Sequence, residues 1–587
     1  MTQKTGWMVL AGLLLLACGT ATQSADTAQE VVFDAILDVA PTDLVAVADT
    51  PPSDTSGADL SDETLALADL DDGFSADVLD PPPPEFEELA AVIEQERVDM
   101  NIPGLAVAVI LDGKLAWSKG FGTKDPAGGA PILPSTLFRF GSIAKMMAST
   151  AILQQEAAGC LAVNDTLVQH APDFTMKKTP AGVPDITLAH LMTHSSGVSD
   201  FLALDVPAAH KLDGALAEYA LGLLPYYVWL NAPAGRLWNY SNPNFVLVGL
   251  VAELCAGQNY RDYMRDSVWQ PLGMGRTTFR PADVLADGDF ALGRSFDPVA
   301  NKEVIISPDS YDNAWGAPAG FGFSSVEELA HFAEFLLNGN DAVLADADVA
   351  RLTDKHCDTL MVGNQLWYGY GVMINTGLLL PDGLHMVDTP VWHHGGAING
   401  FSAQMTLLPE FGFGFITLAS TDGAYPVVAP QKAVQLLVDL PPPVDAPDIT
   451  DDPGLFDDYV GEFLDPFNVG HMSLSVVGGK LHLQMSDLDA ADYSYEPVLQ
   501  PVSLRNYILW VGGYPLQLTI ILDEQGKAEY LRTRIAVGRR VDPDAPPTRL
   551  ALDLVGLTRN LRTPQAPLLP WFPQPSVASQ PNERERR

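Results

Sequence analysis

The sequence predicts an α+β chain: an antiparallel sheet flanked by helices, followed by a small all-β, barrel-like domain. Three observations predict it. Strand patterns stand at both ends of residues 85–440, with helical periodicity between them. Beyond Pro441-Pro442-Pro443 the period changes: apolar residues alternate and helical spacing nearly vanishes, as in a barrel or sandwich. Finally, 587 residues with 47% hydrophobic and 18% charged side chains can fill more than one core.

The first 18 residues read as an export signal. Lys4 supplies a positive start, and the apolar run 8–17 is too short to span a bilayer comfortably. The run ends Leu15-Leu16-Ala17-Cys18, which resembles a bacterial lipoprotein cleavage box with Cys18 as the lipidated residue. An ordinary cut near Ala17 or Ala21 is the alternative. Lipidation would make this a membrane-anchored protein, periplasmic or on the cell surface. Residues 19–84 carry 15 acidic side chains and no Lys or Arg, and close on Pro81 to Pro84. That composition predicts a disordered acidic tether. The net charge of −41 argues against nucleic acid as a partner and against electrostatic binding to an anionic membrane.

Folding is expected from residue 85. Phe86, Leu89, Ala90 and Ile93 recur at helical spacing, and strands follow at 105–111 and 115–121 around Asp112-Gly113-Lys114. A helix starts at Ser142 and stops at Gly159. Residues 186–193 look helical and lead into His194-Ser195-Ser196-Gly197. Pro243 fits the first turn of a helix that Asn242 would cap and that ends at Gly257. Another helix follows the 322–325 loop. After Val391-Trp392-His393-His394-Gly395-Gly396, strands at 400–408 and 413–418 form a hairpin. A linker (441–452) separates the β domain (453–562), whose strands are expected at 472–476, 481–485, 516–522 and 528–537. Residues 563–587 are Pro-rich, then charged, and read as a disordered tail. Cys160, Cys255 and Cys357 fit no zinc or redox spacing; one disulfide is open to them, with its pairing undetermined.

Ser142 and Lys145 carry the first chemical signal. Three residues apart at a helix start, they share a face, so the lysine reaches the hydroxyl. A serine hydroxyl needs an adjacent base, and a lysine can be one only if its pKa falls. The same helix end offers backbone N–H groups to an oxyanion. Lys145 is the only lysine in the chain with a serine three places before it.

Two further motifs follow in order: Tyr240-Ser241-Asn242 and His393-His394-Gly395. With Phe138-Arg139-Phe140-Gly141-Ser142, His190-Leu191-Met192-Thr193-His194-Ser195-Ser196-Gly197 and Pro271-Leu272-Gly273-Met274, residues 85–438 resemble the serine β-lactamase-like superfamily. Its members include class C β-lactamases, D-alanyl-D-alanine carboxypeptidases and family VIII esterases. The resemblance implies a β-lactamase/transpeptidase-like fold with an all-helical subdomain, and a metal-independent serine hydrolase working through an acyl-enzyme on a small-molecule or peptide substrate. It implies Ser142 as nucleophile, Lys145 or Tyr240 as base, and Asn242, His393, His394 and Gly395 as orienting residues. Ser142 and Gly396 would give the oxyanion-hole amides. No cofactor is implied, and the oligomeric state is left open. His393 is taken as the first residue of the third motif; starting at His394 is the other register. Class C β-lactamases carry Lys-Thr-Gly there, so the loss of a fixed charge favours an esterase or peptidase over a β-lactamase or D-Ala-D-Ala carboxypeptidase. A catalytically silent binding protein on the same fold is the reading from another class. The β domain resembles lipocalin-like barrels appended to some members.

Overall fold

A computed structural model describes residues 82–542, apart from 180–184, 201–212, 298–301, 311, 313 and 362–364, together with residues 554, 557, 558 and 561. The expected signal segment with Cys18, the tether up to residue 81 and the tail 563–587 lie outside the described residues.

The first sheet is antiparallel and eight-stranded. Its strands are β1 (Gly104–Leu111), β2 (Lys114–Gly122), β3 (Cys357–Met361), β4 (Leu366–Tyr368), β5 (Met373–Asn375), β6 (Val391–Ile398), β7 (Phe401–Leu408) and β8 (Phe413–Ala419), in the order β2-β1-β8-β7-β6-β5-β4-β3. The β1–β2 turn places Asp112 and Gly113 at positive φ, the conformation a two-residue hairpin turn requires. β1 is apolar on both faces because both are covered. Ala106, Ala108 and Ile110 join the core beneath α2 (Ala144–Ala157), α3 (Asn242–Ala256) and α4 (Val326–Asn338). Leu105, Val107 and Val109 join a second core under α1 (Glu87–Asp99) and α5 (Val428–Leu437). The Glu96 carboxylate on α1 accepts the N–H groups of Val427, Val428 and Ala429, at 2.7–2.8 Å. It thereby satisfies the orphan donors at the start of α5 and places a negative charge at the positive helix end.

Helices α2 and α3 pack together beside the sheet within the helical part of the fold. A disulfide joins Cys160, just past α2, to Cys255 near the end of α3, and Cys357 is free. Asn242 is the first residue of α3 rather than its cap; Ser241 holds the capping position with extended backbone. That shift frees the Asn242 amide for other contacts.

The second sheet is also antiparallel and eight-stranded and forms a half-barrel. It comprises β9 (Gly461–Asp465), β10 (Gly470–Val477), β11 (Lys480–Met485), β12 (Gln500–Ser503), β13 (Asn506–Val511), β14 (Tyr514–Leu522), β15 (Ala528–Arg532) and β16 (Val537–Arg540), in the order β11-β10-β9-β16-β15-β14-β13-β12. Its concave side is filled by Met472, Leu483, Leu509, Leu518, Leu531 and Leu557, among others. The alternation over 528–537 predicts one strand, but the structure breaks it. The Thr533 hydroxyl takes the Ala536 N–H at 2.9 Å while the Ala536 carbonyl accepts the Thr533 N–H at 2.8 Å, closing a turn without glycine or proline. Within the expected linker, Val444 and Asp445 pair with Met386 and His385.

The two sheets meet through buried polar contacts. The Arg532 guanidinium donates to the carbonyls of Trp238 (2.6 Å) and Thr359 (2.9 Å) and to the Thr519 hydroxyl (2.8 Å).

Candidate active site

Ser142 lies in a 3₁₀ turn, Gly141–Ile143, that runs straight into α2. It alone in 141–150 keeps partial exposure; its neighbours are buried. Gly141 has φ 56°, and a side chain there would strike the peptide unit joining Gly396 to Ala397. A side chain on Gly396 would strike the Phe140 carbonyl at 2.1 Å. These two glycines let the Ser142 turn and β6 lie in backbone contact.

Lys145 is fully buried. Its Nζ lies 3.0 Å from Ser142 Oγ, 2.9 Å from Asn242 Oδ1 and 2.6 Å from the Ala319 carbonyl. Burial, reinforced by the Arg534 cation and opposed by Asp200, pushes its pKa well below the ordinary lysine value. A neutral amine has two N–H donors and one lone pair. Asn242 Oδ1 and the Ala319 carbonyl can only accept, so they take both donors. The lone pair is left facing the Ser142 hydroxyl.

Asp200 fixes the orientation of the Asn242 amide. Its Oδ1 accepts the Asn242 main-chain N–H at 2.8 Å and the side-chain Nδ2–H at 3.2 Å, which turns Oδ1 of Asn242 toward Lys145. Asp200 Oδ2 in turn accepts Arg534 Nε at 2.7 Å. Sequence reasoning missed both Asp200 and Arg534.

The Tyr240 ring lies 5.0 Å from Lys145 Nζ. The sequence reading leaves Lys145 or Tyr240 open as the base. The structure separates them. Burial raises the Tyr240 phenol, with Arg534 only partly offsetting it. His194, inside a stretch already noted in the sequence, backs Tyr240 at a ring separation of 4.2 Å. Its Nδ1 accepts from the Ser241 N–H and Asn244 Nδ2, and its carbonyl accepts the Asn239 N–H. It therefore grips the second motif from both backbone and side chain.

The third motif departs from its expected register. Successive residues of a strand face opposite sides. His394 lies on the Tyr240 side, 6.2 Å between rings. His393 turns to Asn375 Oδ1 at 3.0 Å. The residue facing the site is thus His394, not His393. The His394 Nδ1–H donates to the Gly395 carbonyl (2.7 Å), so its Nε2 accepts the Tyr368 hydroxyl (3.0 Å). Burial holds both histidines near pKa 3. Neither presents a charge, and His394 has no ring nitrogen left for a substrate. The peptide N–H beside Gly141 belongs to Ala397, one residue beyond the Gly396 amide expected from the sequence.

A family model described as "Beta-lactamase" matches residues 89–439. The chain belongs to the β-lactamase family. Protein flp of Staphylococcus aureus strain MW2 is 25% identical over 340 residues, covering 58% of this chain and 64% of that protein. Unguisins hydrolase ungD' of Aspergillus campestris is 25% identical over 358 residues, covering 58% of this chain and 62% of that protein. The chain thus spans a little under two thirds of the length of these curated relatives. Among solved structures, the octameric penicillin-binding protein homologue from Pyrococcus abyssi aligns at TM-score 0.52 and 21% identity over 77% of this chain and 99% of its own. SurE crystallised with D-Leu aligns at TM-score 0.55 and 19% identity over 78% and 99%. At these identities the two structures speak for the fold. The 89–439 match ends before the half-barrel sheet, so Arg534 lies outside the β-lactamase family's own segment and yet touches its site.

Among the described residues, no group of three or more His, Cys, Asp or Glu side chains is placed to hold a metal ion. No helix among them is long and apolar enough to cross a membrane.

Proposed function

We propose that this β-lactamase-family chain is a serine hydrolase that cleaves an ester or amide through a covalent acyl-enzyme. The observation that carries the reading is the buried Lys145 amine, whose Nζ lies within hydrogen-bond reach of Asn242 Oδ1, the Ala319 carbonyl and Ser142 Oγ, so that its neutral form has a lone pair left for Ser142. A poor nucleophile next to an amine held ready to accept its proton is the arrangement acyl transfer needs.

The reaction follows in order. Lys145 takes the Ser142 proton as Oγ attacks the carbonyl carbon. The oxyanion forms between the Ser142 and Ala397 amides, a type of contact worth about 10²–10³ in rate per donor. Tyr240, kept as a neutral phenol, gives its proton to the leaving group and is refilled from the Lys145 ammonium. Water, with Lys145 again as base, releases the acyl group and restores Ser142. None of these steps draws on a metal or cofactor.

A hydrolase fits the name of one relative, an unguisins hydrolase, and SurE, which shares the fold, was crystallised with the amino acid D-Leu. The neutral His393 and His394 weigh against a β-lactamase or D-Ala-D-Ala carboxypeptidase that grips its substrate through this motif. The test is turnover of a p-nitrophenyl acyl ester and labelling by a fluorescent fluorophosphonate, beside Ser142→Ala. Both are expected for the wild type and neither for the variant. Absence of both from the wild type would leave the silent binding protein as the better reading.

We further propose that the hydrolase is exported and tethered through lipidated Cys18. The Cys160–Cys255 disulfide supports an oxidising compartment. Palmitate incorporation by growing cells that is unaffected by Cys18→Ala would reject the anchor.

A further inference from the structure

The half-barrel domain places one charged side chain in the catalytic cleft. Arg534 sits at the turn between β15 and β16, and the turn is held from several sides. Its own Thr533–Ala536 bonds close it. Asn468 Nδ2 donates to the Ile535 carbonyl at 2.6 Å, and Asp465 Oδ2 accepts the Val537 N–H at 3.2 Å. From the other domain, Asn239 Nδ2 donates to the Arg534 carbonyl at 3.2 Å, and Arg532 anchors the preceding strand on Trp238 and Thr359. A turn tied this closely aims its side chain.

The Arg534 guanidinium lies 4.7 Å above the Tyr240 ring centre, and its Nε–H donates to Asp200 Oδ2 at 2.7 Å. The side chain is 19% exposed. Among the described residues, neither Nη group has a hydrogen-bond partner, so the fork that binds carboxylates is open. Arg532 differs: its donors are consumed by two carbonyls and a hydroxyl. The third motif supplies no cation, since His393 and His394 are buried and neutral.

We propose that Arg534 anchors a carboxylate carried by the leaving group of the substrate. The inference rests on the hydrolase reading above and names its substrate class: acyl compounds whose departing fragment is an amino acid or hydroxy acid with a free carboxylate. The side of the bond follows from position. The departing atom must come to the Tyr240 hydroxyl to be protonated, and the guanidinium over that same ring reaches groups on the departing fragment. The positive charge of this specificity contact comes from the second domain, not from the strand motif.

The experiment compares two depsipeptides that differ only in this charge, N-acetylalanyl-lactate and N-acetylalanyl-lactamide, with wild type, Arg534→Gln and Arg534→Lys. The readout is the ratio of the two kcat/KM values, because Arg534 also holds Asp200 and absolute rates will change with it. Wild type is expected to prefer lactate by about 10- to 100-fold, the worth of charge-assisted hydrogen bonds. Arg534→Gln should bring the ratio close to one, and Arg534→Lys should restore part of it. Fluorophosphonate labelling of Ser142 in each variant reports an assembled site. Labelled wild type that turns over both esters without preference, or a preference that survives Arg534→Gln, overturns the assignment and leaves the hydrolase reading standing. Wild type that is neither labelled nor active takes both readings down.

Discussion

Asp200 Oδ1 receives both the main-chain N–H and the side-chain amide of Asn242. This fixes which end of the amide meets Lys145, and so leaves the lone pair of a neutral Nζ for Ser142. Arg534 holds the other oxygen of Asp200, so a line of direct contacts runs Arg534–Asp200–Asn242–Lys145–Ser142 from the half-barrel domain to the Ser142 hydroxyl.

That line makes Asn242 sensitive to its own isostere. Asn242→Asp would place a second carboxylate against Asp200 and favour a charged Lys145. Asn242→Ala removes an acceptor and leaves one amine N–H unmatched in a buried site. Both are expected to lower kcat/KM by about 10²-fold or more, with the aspartate variant recovering as pH rises. Equal, pH-independent losses in the two would argue that Asn242 only fills space.

Lys145 should set the acidic limb of the pH–rate profile. Its pKa is pushed well below 10.5, and activity should rise as the ammonium deprotonates. The neighbours give opposite signs. Arg534 lowers the Lys145 pKa, so Arg534→Gln moves the limb to higher pH. Asp200 raises it, so Asp200→Asn moves the limb to lower pH. Steady-state kcat/KM from pH 5 to 10 reads both shifts, and two limbs moving the same way would contradict this electrostatic assignment.

The residues legible in the sequence are those whose relation is local. Ser142 and Lys145 share one helix turn, and the second motif precedes a helix marked by Pro243. Where a motif lies on a strand, the period of two makes a one-residue error decisive. Reading the third motif from His393 put the wrong histidine toward Tyr240, and the peptide N–H beside Gly141 is that of Ala397 rather than Gly396. Asp200 and Arg534 were out of reach because they meet across 334 residues of chain. The turn that presents Arg534 is closed by a threonine hydroxyl, and its alternating neighbours read as uninterrupted strand.

His194 offers a positioning test that its burial makes sharp. It is enclosed by Tyr240, Tyr368, Trp238 and Phe245, and burial keeps it neutral. Its Nδ1 must remain an acceptor for Ser241 and Asn244. His194→Gln, which can keep one acceptor, should retain more activity than His194→Phe, which keeps the ring shape and loses the acceptor. The measure is kcat at saturating ester, with fluorophosphonate labelling rate as a second readout. Better function in the phenylalanine variant would assign His194 to packing alone.

Arg532 tests how far the two sheets depend on each other. It is 3% exposed and donates to the carbonyls of Trp238 and Thr359. Arg532→Met keeps much of the volume but leaves two buried carbonyls without these donors. Hydrogen bonds from a charged donor are worth about 1.5–3 kcal/mol each, and stranded acceptors add a penalty, so a loss of about 3–5 kcal/mol is expected. Calorimetry should show the half-barrel unfolding separately from the hydrolase domain in the variant. Because the Trp238 carbonyl lies two residues before Tyr240, the variant should also lose activity below its unfolding temperature. A variant with wild-type turnover and a single unchanged transition would mean that Asn239, Asp200 and Arg534 suffice to dock the turn.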